Sequence, residues 1–92
     1  MNRNEGAVES PEVQNAVMEL LMETGRCDTQ PALTASLSSL GMDSLKLVEI
    51  IFALETRFSI IADEELMAEL ETVGDLVVLI DRACMLRRSQ EA

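Results

Sequence analysis

Residues 40–58 read LGMDSLKLVEIIFALETRF, and the reading of this stretch decides the fold class. Laid out at about 100° per residue, Leu47, Ile50, Ile51, Leu54 and Phe58 fall in one stripe. The spacing predicts a helix over 44–58 that buries this stripe as its core face. Leu45, Val48 and Phe52 fall on a second apolar patch, rotated away from the first and bordered by Glu49 and Glu55. A helix that buries one face has no internal need for a second. Either the patch packs against a neighbouring segment, or it is offered to partners.

Upstream, Ser10 and Pro11 form a helix start, with Ser10 as N-cap and Pro11 at the first helical position. Val13, Val17, Leu20 and Leu21 recur at helical spacing until Gly25, which predicts a first helix over 11–24. Residues 25–43 show no strong period, and Leu33, Leu37 and Leu40 are their expected anchors on the core. Connections of this length inside a small domain are often functional. Downstream, a short helix is expected over 63–70, with Leu66, Met67 and Leu70 inward. A last helix is expected over 73–87, where Thr72 followed by Asp75 approximates a capping box. The expected architecture is all-α: a four-helix bundle of three longer helices and one short one, with a long loop between the first and second. Residues 1–9 read as a flexible arm, 10–87 as the domain, and 88–92 as a flexible tail.

The composition agrees with helices. Hydrophobic residues make up 48% of the 92 positions and aromatics only 2%, so Leu, Ile, Val, Met and Ala must form the core. Acids outnumber bases by 17 to 7, a net charge of −10. Such a chain is a poor partner for nucleic acid, whose phosphates require Lys and Arg. The acids concentrate between Asp43 and Asp81, where only Lys46 and Arg57 oppose them, while Arg82, Arg87 and Arg88 gather near the end. A concentrated negative face either keeps a small protein soluble or favours basic protein partners. The chain contains no histidine, which removes Ser-His-Asp triads, Cys-His pairs and His-based zinc sites. Asp63-Glu64-Glu65 lacks the alternating acids of a calcium loop, and Cys27 and Cys84 form no C-x-x-C pair. No catalytic or metal-ligating residue is expected. No stretch is apolar enough to span or insert into a membrane, the first six residues lack the core of a signal peptide, and the protein is expected to be cytoplasmic and monomeric.

Leu40-Gly41-Met42-Asp43-Ser44-Leu45, followed by Val48-Glu49 and by Leu54-Glu55-x-x-Phe58, resembles the acyl carrier protein family. The resemblance covers residues 10–87. It implies that Ser44 carries a 4′-phosphopantetheine arm transferred from coenzyme A, and that the arm's thiol holds acyl groups as thioesters. Asp43 would help position the phosphopantetheinyl transferase that installs the arm. Leu45, Val48, Glu49, Phe52 and Glu55 would form the face that docks ketosynthases, acyltransferases and other acyl-processing enzymes with basic patches. Leu47, Ile50, Ile51 and Leu54 would line the space where a short acyl chain shelters. On this reading Glu49→Lys or Glu55→Lys weakens docking more than folding.

Independent physics supports the placement of Ser44. A helix start offers unpaired N–H groups to an anionic phosphodiester, and Gly41 permits a sharp turn and close approach to another backbone. A catalytic Ser44 would need a base, and Lys46 among acids is a poor one. The chain also departs from the family pattern. Ser39 and Lys46 stand where acids are frequent, and Ile60-Ile61-Ala62-Asp63 lacks the usual proline and forms a loop expected to be one residue shorter. These departures point to a specialised carrier; Leu33-Thr34 and Val73-Gly74-Asp75-Leu76 are similar to segments of carriers for specialised lipids, such as those of nodulation-factor synthesis. The rival readings are a peptidyl or aminoacyl carrier, which commonly shows G-G-H/D-S rather than Gly41-Met42-Asp43-Ser44, and an unmodified acidic helical interaction module.

Overall fold

A computed structural model describes residues 11–25 and 28–91. Four helices follow in order: α1 (Pro11–Gly25), α2 (Ser44–Phe58), α3 (Glu64–Met67) and α4 (Val73–Glu91). The three long helices pack on one another pairwise. Val13, Val17 and Leu21 of α1, Ile50 and Leu54 of α2, and Leu76 and Ile80 of α4 are almost wholly shielded from water. Burying each such side chain contributes about 1.5–3 kcal/mol, so a core without aromatic bulk suffices. The expected all-α bundle is the observed one. The expected arm, the Ser10 cap and Cys27 lie outside the described residues.

Two helix ends differ from expectation. α3 stops at Met67, because the chain tightens there: Glu69 N–H donates to Leu66 O at 3.0 Å and Leu70 N–H to Met67 O at 3.4 Å. That bend still carries Leu70 inward onto the core, beside Leu66 and Met67. α4 continues to Glu91, so residues 88–91 are helical rather than a tail. No glycine or proline interrupts the run after Val77, and Arg88 in the last turn suits the negative end of the helix.

The connection from α1 to α2 is anchored by backbone hydrogen bonds that hydrophobic periodicity does not encode. Leu37 N–H donates to Glu71 O at 2.8 Å, Val73 N–H to Ala35 O at 3.0 Å, and Gly74 N–H to Leu33 O at 2.8 Å. Together they form an isolated antiparallel bridge between Ser36 and Thr72. A side chain at Gly74 would meet Leu33 O at 3.2 Å, so this is where a bare backbone permits close approach. Gly41 has the sharp turn expected of it, with φ +81°, but a Cβ there would meet nothing within 4 Å. The turn and the close approach expected of one glycine belong to two. Leu37 and Met42 bury their side chains at either end of a short 3-10 turn (Ser38–Leu40), while Leu40 is half-buried and Leu33 remains largely exposed.

The start of α4 is a reciprocal cap. Asp75 N–H donates to the Thr72 hydroxyl at 3.1 Å, while the Asp75 carboxylate accepts from Thr72 N–H and Glu71 N–H, both at 3.0 Å. These donors, Thr72 first, hold the Asp75 carboxyl below its ordinary value. The folded protein thus favours the ionised form. Its contribution is fully present above the unfolded carboxyl's pKa and is lost as pH falls through the lower, folded value. Urea denaturation across a pH series should therefore show a constant advantage of wild type over Asp75→Asn above about pH 5 that shrinks below about pH 4. An advantage that stays constant down to about pH 2 contradicts this role of the carboxylate.

Candidate functional site

The first turn of α2 is built by its own cap. Asp43 is extended (φ −91°, ψ −179°), and its side chain accepts from Lys46 N–H at 2.9 Å. Leu47 N–H then closes the first helical turn on Asp43 O at 3.0 Å. Ser44 follows Asp43 as the first helical residue and is exposed to solvent. No hydrogen bond among the described residues takes the N–H groups of Ser44 or Leu45. Two free donors thus flank the hydroxyl at the positive end of a 15-residue helix.

The remaining base near this end is Lys46. Its ammonium reaches back to Gly41 O at 3.5 Å, on the loop that leads into Ser44. Arg57, the other base of the acidic stretch, pairs with Glu19 at 3.5 Å in an exposed contact worth little to stability. Ser39 donates its hydroxyl to Ser36 O at 2.8 Å, while Ser36 Oγ accepts from Ser39 N–H at 3.1 Å. The side chain that stands in place of a frequent family acid is therefore occupied within the loop.

The two patches of α2 separate as the periodicity predicts. Ile50, Ile51 and Leu54 are buried and Leu47 is half-buried, all four in the packed core. Leu45 and Phe52 are each 68% exposed and Val48 52% exposed, and Glu49 is exposed beside them. Among the described residues no segment covers this second patch. From Ser44 to Phe52 the face runs about 12 Å along the helix.

Glu55 does not share the situation of Glu49. It is half-buried, and its carboxylate accepts from Ala62 N–H at 2.9 Å, seven residues ahead. Its carbonyl accepts from Ser59 N–H and from Ile60 N–H, with Ser59 in the left-handed region at φ +56°. Glu55 thus latches the loop that follows α2, whose Ile60 and Ala62 are buried while Ile61 between them points into solvent. This bond gives a change at Glu55 a cost to folding that a change at Glu49 does not carry. Sequence spacing gave no sign of it, because a helix residue and a loop residue seven positions on share no period.

Elsewhere the chemistry is quiet. Cys84 is a free, half-buried thiol whose pKa is pushed up by burial first and then by the nearby Asp81 carboxylate. It is protonated at neutral pH and so a weak nucleophile. Among the described residues no group of three or more Cys, Asp or Glu side chains could hold a metal ion, and no helix is long and apolar enough to cross a membrane.

Comparison with known proteins bears on the same residues. A family model described as a phosphopantetheine attachment site matches residues 12–80. Acyl carrier protein 3 of Ralstonia nicotianae is 45% identical over 53 residues, which are 58% of this chain and 61% of that protein. The acyl carrier protein of Exiguobacterium sibiricum is 35% identical over 71 residues, 76% of this chain and 86% of its counterpart. The chain thus spans about three fifths of the first relative and most of the second.

The Glu55 latch generates a test. Glu55→Ala should lower the unfolding free energy by about 1–2 kcal/mol by stranding the Ala62 donor, whereas Glu49→Ala should change it by less than about 0.5 kcal/mol. Equal costs in urea titrations would show that the carboxylate of Glu55 is as free as that of Glu49.

Proposed function

The chain belongs to the acyl carrier protein family, and from that premise we propose that Ser44 is the residue that receives the arm. Members of the family are carriers rather than enzymes, and their cofactor is 4′-phosphopantetheine. The observation that supports Ser44 is its exposed hydroxyl at the first position of α2, flanked by free backbone donors, within the matched span. These groups fit a phosphodiester: the N–H groups of Ser44 and Leu45 and the Lys46 ammonium all favour an anion at this end. When bound, the arm supplies a thiol that holds acyl groups as thioesters. Asp43 keeps Ser44 presented by fixing the first turn, which agrees with a role in engaging the transferase.

The protein hands its cargo to separate enzymes. Leu45, Val48 and Phe52 supply an apolar contact and Glu49 a charge for basic patches on fatty-acid, lipid or polyketide enzymes. Glu55 belongs to this face through its proximity but is committed first to Ala62. The stripe of Leu47, Ile50, Ile51 and Leu54 is the wall against which a short acyl chain is sheltered when the helices part. Residues 10–87 are the carrier domain, working in the cytoplasm. Lys46 and Ser39 lower the negative charge around the arm, which favours a specialised set of partners over the general one.

Two experiments test this reading. The apo-protein mixed with coenzyme A and a broad phosphopantetheinyl transferase should gain one phosphopantetheine by intact mass, and Ser44→Ala should gain none. Unaltered wild type, or a modified Ser44→Ala, overturns the assignment. Glu49→Lys should slow transfer of the acyl group to a basic partner enzyme by about tenfold or more, with an unchanged melting temperature. Normal transfer kinetics in that variant would remove Glu49 from the docking face.

A further inference from the structure

Lys46 stands where the local physics of a helix opposes it. It lies in the first turn of α2, which carries no acid, whereas α1, α3 and α4 each open on one, Glu12, Glu64 and Asp75. A cation near the start of a helix works against the dipole. No ion pair offsets this. Asp43 and Glu49 stand three positions to either side, yet Lys46 pairs with no carboxylate among the described residues, while Arg57, the other base between Asp43 and Asp81, pairs with Glu19. Asp43 uses its side chain on the Lys46 backbone instead. What the ammonium does reach is Gly41 O at 3.5 Å, a long contact that holds it loosely. A residue that breaks a local rule without structural return is the kind found at functional positions.

Its place is where a partner must arrive. Lys46 is half-buried, so its stem lies along the protein, and its charge is held at the loop that leads into Ser44, where Gly41, Asp43 and Ser44 are all exposed. Going round α2 at about 100° per residue from the patch of Leu45, Val48 and Phe52, Glu49 comes first and Lys46 next. Three residues apart, the two set opposite charges on neighbouring positions, with about 5–6 Å between their β-carbons. A uniformly basic partner surface gains against Glu49 and is repelled at Lys46. Like charges brought together at a docking face slow encounter and suppress the mismatched partner.

We infer that Lys46 selects the enzymes that work on Ser44: those fitted to this chain set a carboxylate against the Lys46 ammonium and a base against Glu49, less than one helical turn farther along. The inference rests on Ser44 as the site of the arm and names the charge pattern of the partner that reaches it. The partner's carboxylate replaces Gly41 O as the acceptor of the ammonium, a charge-assisted bond where the free protein has a weak one. A partner that is basic throughout engages Glu49 but docks at a rate held down by Lys46.

Loading of the apo-protein by a phosphopantetheinyl transferase with a basic docking patch reads this as kcat/KM, with coenzyme A saturating and the product followed by intact mass. At about 0.01 M salt, Lys46→Glu should load faster than wild type by about fivefold or more, with Lys46→Gln between them and the gain carried by KM. At about 1 M salt, where screening acts within about 3 Å, the three should agree within about twofold. Arg57→Glu makes the same change in net charge about 16 Å farther along α2 and should stay within about twofold of wild type at either salt. A scan of single base-to-acid changes in the transferase patch should yield a variant that prefers wild type to Lys46→Glu, the reverse of the parent enzyme. Lys46→Glu that loads no faster than wild type at low salt overturns the inference. So does a gain that persists at high salt, a gain matched by Arg57→Glu, or a scan in which no variant reverses the preference. In each of these wild type still gains its arm, so the assignment of Ser44 stands; a wild type that gains none removes that assignment and this inference with it.

Discussion

The backbone clamp between the α1–α2 connection and the start of α4 is the constraint on which the site depends. Leu37 on Glu71, Val73 on Ala35 and Gly74 on Leu33 tie a segment with no helical period to the start of the last helix. Those donors and acceptors would otherwise face water or stand unpaired at the helix start. Leu37 and Met42 then bury their side chains on either side of the 3-10 turn, and Gly41 reverses the chain just before Met42. Ser44 is placed by this sequence of contacts rather than by α2 alone. The reciprocal cap of Thr72 and Asp75 organises the same corner, so one small region sets both the helix start that the clamp grips and the loop that delivers the serine.

The parts of this arrangement that follow a period were legible from sequence. The core stripe of α2 and its second patch both lie where a rotation of about 100° per residue puts them, because a helix fixes side-chain direction by arithmetic. The cap at Thr72 was legible too: it is a small polar residue before an apolar run and uses its hydroxyl on the helix it precedes. The rest depends on which backbones meet through space. The bridge of Ser36 with Thr72, the close approach at Gly74 and the latch of Glu55 on Ala62 join residues whose separations carry no period. The short α3 and long α4 show the ordinary weakness of reading helix ends without their hydrogen bonds.

Glu49 and Glu55 show how the same residue type divides its work. Six positions apart on one helix, both border the exposed apolar patch. Glu49 meets only solvent, so its charge is available to a basic partner at little cost to the fold. Glu55 sits where α2 ends and the chain turns inward to bury Ile60 and Ala62, and the donor freed by that turn takes its carboxylate. The carboxylate of Glu55 is thereby joined, through one of its oxygens, to the loop that plugs the core, whereas that of Glu49 is not.

Charge is distributed unevenly over the surface. A net charge of −10 spread evenly would repel every acidic surface alike. Here the arginines of α4 collect at its end, while the surface around α2 holds few bases, and one of these, Arg57, is engaged by Glu19. The α2 face is thus negative around an apolar centre and suits a basic partner. The outer side of α4 differs: Val78, Met85 and Leu86 are exposed there beside Arg82, with Asp75 at the start of the helix. The serine at the head of α2 opens onto the first of these surfaces and not the second.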